Sequence, residues 1–257
     1  MTSRRLSRRQ AGRIVAASVL LAASWSTDAA AESLKERLET RMGLRAARPA
    51  ASPSTRFQAE GGEVFVLDRT QPRALLKFQN RDEVWLLDAH AAPRGDTVFK
   101  NDVGETVVRA SKLGGLTLFT RTAPNGQAVT QIGSAEPLGA ARQLSPTGLL
   151  RALVISGHRA TRAAQHPLTV NLLDTATVET SGRIADAGVV VAEAFENLDR
   201  AGRRDLLVRW RRVYLALGDK PEVRTEGDVL VVVLNPQKGV AGRPSSARIE
   251  RTLRRGR

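Results

Sequence analysis

Between residues 57 and 132 the chain repeats one event about every ten residues: a short run rich in Val, Phe, Leu and Thr, followed by a turn. The runs are 63–67, 74–78, 83–87, 97–100, 106–110, 116–120 and 128–132. Residue types of this kind suit a pleated, half-buried surface. The separators are Gln79-Asn80-Arg81-Asp82, Pro93-Arg94-Gly95-Asp96, Asp102-Val103-Gly104, Gly114-Gly115 and Pro124-Asn125-Gly126. Links this short join antiparallel neighbours, because a parallel return needs a dozen or more residues. A β-rich domain over 57–140 is therefore expected, an antiparallel meander closed into a small barrel or folded into a sandwich.

The pattern changes at Ser145-Pro146, an N-cap followed by proline at the first helical position. Leu149, Leu150, Leu153, Val154 and Gly157 share one face of a helix running to about residue 164, and Pro167 closes it. Residues 168–174 read as a strand or a connector. Ser181 is expected to cap a second helix, with Ile184, Gly188, Val191, Phe195 and Leu198 as its apolar stripe. A short helix through Leu206, Leu207 and Trp210 then precedes a strand at 212–217. Six consecutive apolar residues from Val229 to Leu234 mark a strand buried on both faces. Pairing it with 212–217 through a return at 218–227 gives an α+β domain over 145–236 that ends in a β-hairpin. The fold class is thus α+β, a β meander followed by a helical and α+β unit. No internal repeat is visible.

The N-terminus reads as an export signal over 1–31. Arg4, Arg5, Arg8, Arg9 and Arg13 form a basic region, 14–25 is a short apolar segment, and Ala29-Ala30-Ala31 fits a small-x-small cleavage site. Cleavage near Ala31 places the mature chain in the periplasm or outside the cell. Ser7 to Arg13 carries a twin Arg, but Ala11 and Gly12 stand where a twin-arginine signal prefers bulkier residues, so the ordinary secretory route comes first. Residues 32–56 hold a short helix, with Leu34, Leu38 and Met42 at four-residue steps, and a Pro/Ala/Ser linker. No stretch of about 20 apolar residues follows, so no transmembrane helix is expected in the mature chain.

The formal charge is +14, with 34 Arg against 6 Lys. Residues 237–257 concentrate the excess in a basic C-terminal tail: Lys238 and Arg243 are followed by Arg248, Arg251, Arg254, Arg255 and Arg257, against the single acid Glu250. Two readings stand side by side, a solvated tail and an electrostatic tether to an anionic envelope surface of phospholipid, lipopolysaccharide or cell-wall polymer. An exported chain with 4% aromatic residues is not expected to bind nucleic acid.

Cysteine is absent, which excludes disulfides, thiolate nucleophiles, Cys-ligated zinc and iron–sulfur clusters. No phosphate-loop, dinucleotide or HExxH motif occurs, so no cofactor and no metal site is predicted. The candidates for catalysis are Asp88, His90, Asp96, Asp102 and Glu105, gathered near strand ends. Asp88, His90 and Asp96 would make an acid–base set if their loops folded together, though without an obvious nucleophile. The competing reading takes "PRGDTVFKNDVGET", 93–106, as two tight turns in which Asp accepts a backbone N–H and Gly supplies positive φ.

In "EVWLLD" (83–88), "RGDTVFKNDVGE" (94–105), "LGGLTLF" (113–119) and "GVAGRPSSARI" (239–249) the chain resembles a family of uncharacterised exported alphaproteobacterial proteins, known only as a domain of unknown function. The resemblance implies a secreted or periplasmic product and assigns no catalytic residue. The expected function is a non-enzymatic, envelope-associated binding or scaffolding module. The alternative is a periplasmic hydrolase working through the five acidic and histidine candidates.

Overall fold

A computed structural model describes residues 54–256. The expected signal peptide, the helix at 32–44, the linker up to residue 53 and Arg257 lie outside the described residues. Eight strands come first: β1 (Ser54–Ala59), β2 (Val64–Asp68), β3 (Ala74–Phe78), β4 (Val84–Ala91), β5 (Thr97–Lys100), β6 (Thr106–Ala110), β7 (Leu116–Leu118) and β8 (Gln127–Ser134). Each pairs antiparallel with the next, and β1 pairs with β8, so the sheet is a closed barrel. The seven expected strands are all present. The eighth, β1, occupies ground assigned to the linker: Ser54 and Thr55 are buried, and Thr55 faces Ser134 across the closing seam. Closure leaves no unpaired barrel edge. Phe57, Phe65 and Phe78 run through the interior at centroid spacings of 5.5 and 6.1 Å, and Trp85 meets Phe78 edge-on at 5.7 Å.

The second half begins with α1 (Pro146–Ala164), where the Ser145 hydroxyl accepts the Gly148 N–H at 3.1 Å. Then come β9 (Thr169–Leu172), α2 (Val178–Arg200), β10 (Arg212–Leu217), β11 (Glu222–Glu226), β12 (Val229–Leu234) and α3 (Ser246–Arg255). The cap of α2 is Thr177, in a reciprocal box with Thr180, and not Ser181. Ser181 is buried inside the helix and accepts the Leu144 N–H at 2.8 Å. The sheet order is β11-β12-β10-β9. The expected pairing of 212–217 with 228–236 exists, but it is parallel. The return segment contains β11, which forms the antiparallel hairpin with β12. A strand buried on both faces sits inside a sheet, so β12 takes a neighbour on each side. The link from β9 through α2 to the parallel β10 is a βαβ unit.

Two apolar cores result. One fills the barrel; the other lies between the sheet and α1, α2 and α3. Both belong to one compact unit. The C-terminal segment differs most from expectation. Residues Pro236–Gly242 form a 3-10 stretch, and α3 buries Ile249 and Leu253 in the second core. Apolar residues four apart share a helix face, so the arginines fall outside that face while the aliphatics turn inward. The expected tail is thus an integral helix.

Candidate functional site

The five sequence candidates do not converge. Asp96 stands before β5 and Asp102 and Glu105 stand beyond its other end. Four of them have partners of their own. Asp88 takes a bidentate Arg73 at 2.7 Å in an exposed pair. His90 is exposed on β4. Asp96 accepts the Lys112 N–H at 3.1 Å and Arg109 Nε at 2.8 Å, which together hold its carboxyl below the usual range, the backbone N–H most strongly. Glu105 accepts from Asn101 Nδ2 at 3.0 Å.

Gly104 has the positive φ, 83°, that its turn requires. Asn101, however, and not Asp102, caps that turn, accepting the N–H groups of Val103 and Glu105 at 3.2 and 2.9 Å. Asp102 reaches the opposite way, to the start of α3, where it accepts the Ser245 N–H at 3.1 Å and the Ser245 hydroxyl.

The barrel meets the helices through a charged seam. Glu83, fully buried just before β4, accepts the Ser246 N–H at 2.9 Å and the Ser246 hydroxyl, with Arg243 Nη1 at 3.6 Å. Arg243, with only 4% of its side chain exposed, also binds Asp186 of α2 and the Val84 carbonyl at 2.9 Å. Burial pushes the Glu83 carboxyl up to about 7, against the pull of Arg243 and Ser246. Desolvation of a carboxylate outweighs one cation and two hydrogen bonds here. Three stretches that carry the family resemblance meet at this seam, supplying Glu83, Asp102 and the Arg243–Ser246 run.

Beside the seam a cavity of about 600 Å³ opens between the barrel and the C-terminal half of α2 with α3. Phe78, Trp85 and Phe119 make its apolar side. Its polar side carries Glu63, Glu105 and the almost fully buried Glu250, and the buried Glu193 is tied to its lining arginines. Glu250 accepts Asn197 Nδ2 at 2.9 Å and pairs with Arg121. Glu193 pairs with Arg200 at 3.1 Å and Arg159 at 3.5 Å, with Arg81 at 4.0 Å. Arg81 lies over the Phe78 ring at 5.4 Å. Two buried donors at this cavity, Arg81 Nε and Trp85 Nε1, lack a hydrogen-bond acceptor. The indole N–H leans toward the Glu83 carboxyl without reaching good geometry. Both atoms are themselves closed to solvent, so they sit behind the cavity wall and do not face its open space.

Of the five sequence candidates, Glu105 alone lines this cavity. Glu193 and Asn197 are polar residues buried in α2 beside Ala192, Ala194, Phe195 and Leu198, and that was the one available signal. Of the five arginines expected to face an anionic surface, Arg248, Arg254 and Arg255 are exposed on α3. Arg251 donates to the Val103 carbonyl at 2.7 Å, and Arg257 lies outside the described residues. Among the described residues no helix is long and apolar enough to cross a membrane.

A family model described as "Domain of unknown function (DUF4908)" matches residues 33–253, a span that includes the barrel, the sheet and nearly all of α3. No curated protein and no solved structure matches the chain.

Proposed function

We propose that this chain, which belongs to that family of unknown function, is an exported, non-enzymatic binding module whose ligand occupies the cavity between the barrel and α2–α3. The observation that carries the reading is the pairing of an aromatic wall with three lining arginines, Arg81, Arg121 and Arg200. Concave sites with an apolar lining and a few placed polar groups are the usual form of small-molecule pockets. The ligand chemistry that fits is an amphipathic molecule with an acceptor oxygen, such as a carboxylate, and an apolar body against Phe78, Trp85 and Phe119. The hydrolase alternative lacks support of this kind: Asp88, Asp96, Asp102 and Glu105 are tied to separate partners and His90 is exposed on β4.

A series of medium-chain carboxylates, followed by thermal shift and Trp fluorescence, tests the reading. Binding that weakens at least tenfold in Arg81→Met and Phe119→Ala, with both variants folded, is the expected result. No saturable binding across the series, or binding unchanged in both variants, would sink it.

Attachment to an anionic envelope surface is a second reading, favoured by the three exposed arginines Arg248, Arg254 and Arg255 on one short helix. Each basic residue near an anionic membrane contributes about 1 kcal/mol, which makes the attachment weak and salt-sensitive. Co-sedimentation with anionic and neutral vesicles should show loss of binding on charge reversal of these three. Equal binding by the reversed variant removes this reading.

A further inference from the structure

The two edges of the four-stranded sheet are finished differently. β11 carries Glu222, Arg224 and Glu226 in alternation, with Arg224 and Glu226 paired at 3.2 Å. Charged side chains are the usual means of keeping an edge from pairing with other chains. The opposite edge, β9, reads Thr169-Val170-Asn171-Leu172 and has no charge. Beside it runs an apolar groove of about 470 Å³, walled by α1, β9 and the start of α2.

Leu150, Val154 and Val178 line this groove while 63%, 48% and 48% exposed. These are three of the eight large hydrophobics exposed among the described residues. α1 lies against the β9 backbone at Gly157, where a Cβ would be in van der Waals contact with the Val170 nitrogen at 3.5 Å. The helix ridge and the strand edge therefore make one continuous face.

We propose that this face is an interface with a second copy of the same chain. The choice of occupant follows from the charges. On the helical wheel of α1, Arg151, His158 and Arg162 lie on the outer flank next to Leu150 and Val154. Across the groove, the β9–α2 connection and the first turn of α2 supply the exposed Asp174 and Glu179. One flank is basic and the other acidic. A two-fold related copy that lays its own Leu150–Val154 ridge into the groove brings both signs with it, so each basic flank meets an acidic one. Unrelated partners would need that same arrangement by coincidence. The ridge is also long enough: α1 has 19 residues, about 28 Å, on the scale of an interface that buries about 800 Å² per copy.

Sedimentation velocity over a concentration series, on the purified chain, tests the proposal. Wild type should show a concentration-dependent dimer. Leu150→Glu and Val154→Glu, both at exposed positions, should weaken association at least tenfold with melting temperatures near wild type. Arg224→Glu on the charged edge should leave association intact. As the chain has no Cys, a single Asn171→Cys beside the groove gives a second readout with a short bis-thiol cross-linker. Covalent dimer is expected from Asn171→Cys and not from Arg224→Cys. A wild type that is monomeric at every soluble concentration overturns the proposal. So does a dimer that survives both Glu variants.

Discussion

Asp102, in the turn after β5, accepts the backbone N–H of Ser245 from 143 positions away, and takes the Ser245 hydroxyl with its other oxygen. Ser245 is itself the N-cap of α3, its hydroxyl accepting the Arg248 N–H at 3.1 Å. A residue that resembles a turn element is thereby a tie between the barrel and the last helix. Asp102→Ala should destabilise the protein by about 0.5–2 kcal/mol, the range of losing a helix cap. Protection of α3 amides in hydrogen exchange should fall more than that of β5. Gly104→Val in the same turn should cost about 1–3 kcal/mol through strain at φ 83°, with no selective effect on α3. Equal loosening of α3 by both variants would contradict the tie.

Glu83 gives the molecule a definite pH response. Its folded pKa, about 7, is above the ordinary 4.5, so the folded state holds a proton more tightly than the unfolded one. The stabilisation is complete below about 4.5 and is lost as pH rises through about 7. A shift of this size corresponds to on the order of 3 kcal/mol. Relative to Glu83→Gln, wild type should lose that stability between pH 4.5 and 7.5 in urea titrations. Parallel curves for the two proteins over that window would show that the carboxyl does not titrate as described.

Leu253 and Ile249 are 1% and 0% exposed, so α3 is held by burial as well as by its caps. Leu253→Ala should cost about 2–5 kcal/mol, the range for emptying a core leucine site. Removing residues 238–257 should leave a protein with an exposed core face that binds hydrophobic dyes. Cooperative melting of the truncated chain at the wild-type temperature would restore the idea of a dispensable tail.

Gly182 marks where α2 and the segment before α1 touch. A Cβ on Gly182 would lie 2.0 Å from the Arg142 carbonyl oxygen, and backbone cannot yield as a flexible side chain can. Gly182→Ala should therefore cost about 1–3 kcal/mol, despite the better helix propensity of alanine. A more stable Gly182→Ala, by thermal or urea melting, would show that the 141–142 segment moves freely.

What could be read from the sequence followed the strength of local signals. The strands β2 to β8 were legible because β-formers alternate with Gly, Asn and Asp turns, and α1 because Ser145-Pro146 opens it. β1 was hidden behind Pro53 and an Ala/Ser-rich stretch: its buried Ser54 and Thr55 are polar, and only Phe57 is a large apolar residue. The parallel register of β10 and β12 was illegible because adjacency in sequence suggested a hairpin, whereas β11 intervenes and takes that role. In the last 20 residues the charge count outweighed Ile249 and Leu253, two residues that only a partner surface makes significant. Apart from Asp102 and Glu105, the seam and the cavity escaped for a related reason. Glu83, Glu193, Arg243 and Glu250 acquire their chemistry from partners far along the chain, and no local pattern separates a buried acid from a solvated one.

The Glu83–Ser246 contact also sets an order of events in time. A ribosome completes the barrel strands well before the residues that meet this carboxyl. The 163 positions from Glu83 to Ser246 take roughly 8–33 s to synthesise at about 5–20 residues per second. Until Arg243 and Ser246 are made, Glu83 has none of the partners that the C-terminal segment supplies, so a chain that stops short of residue 243 keeps this acid without its cation and without the Ser246 N–H and hydroxyl.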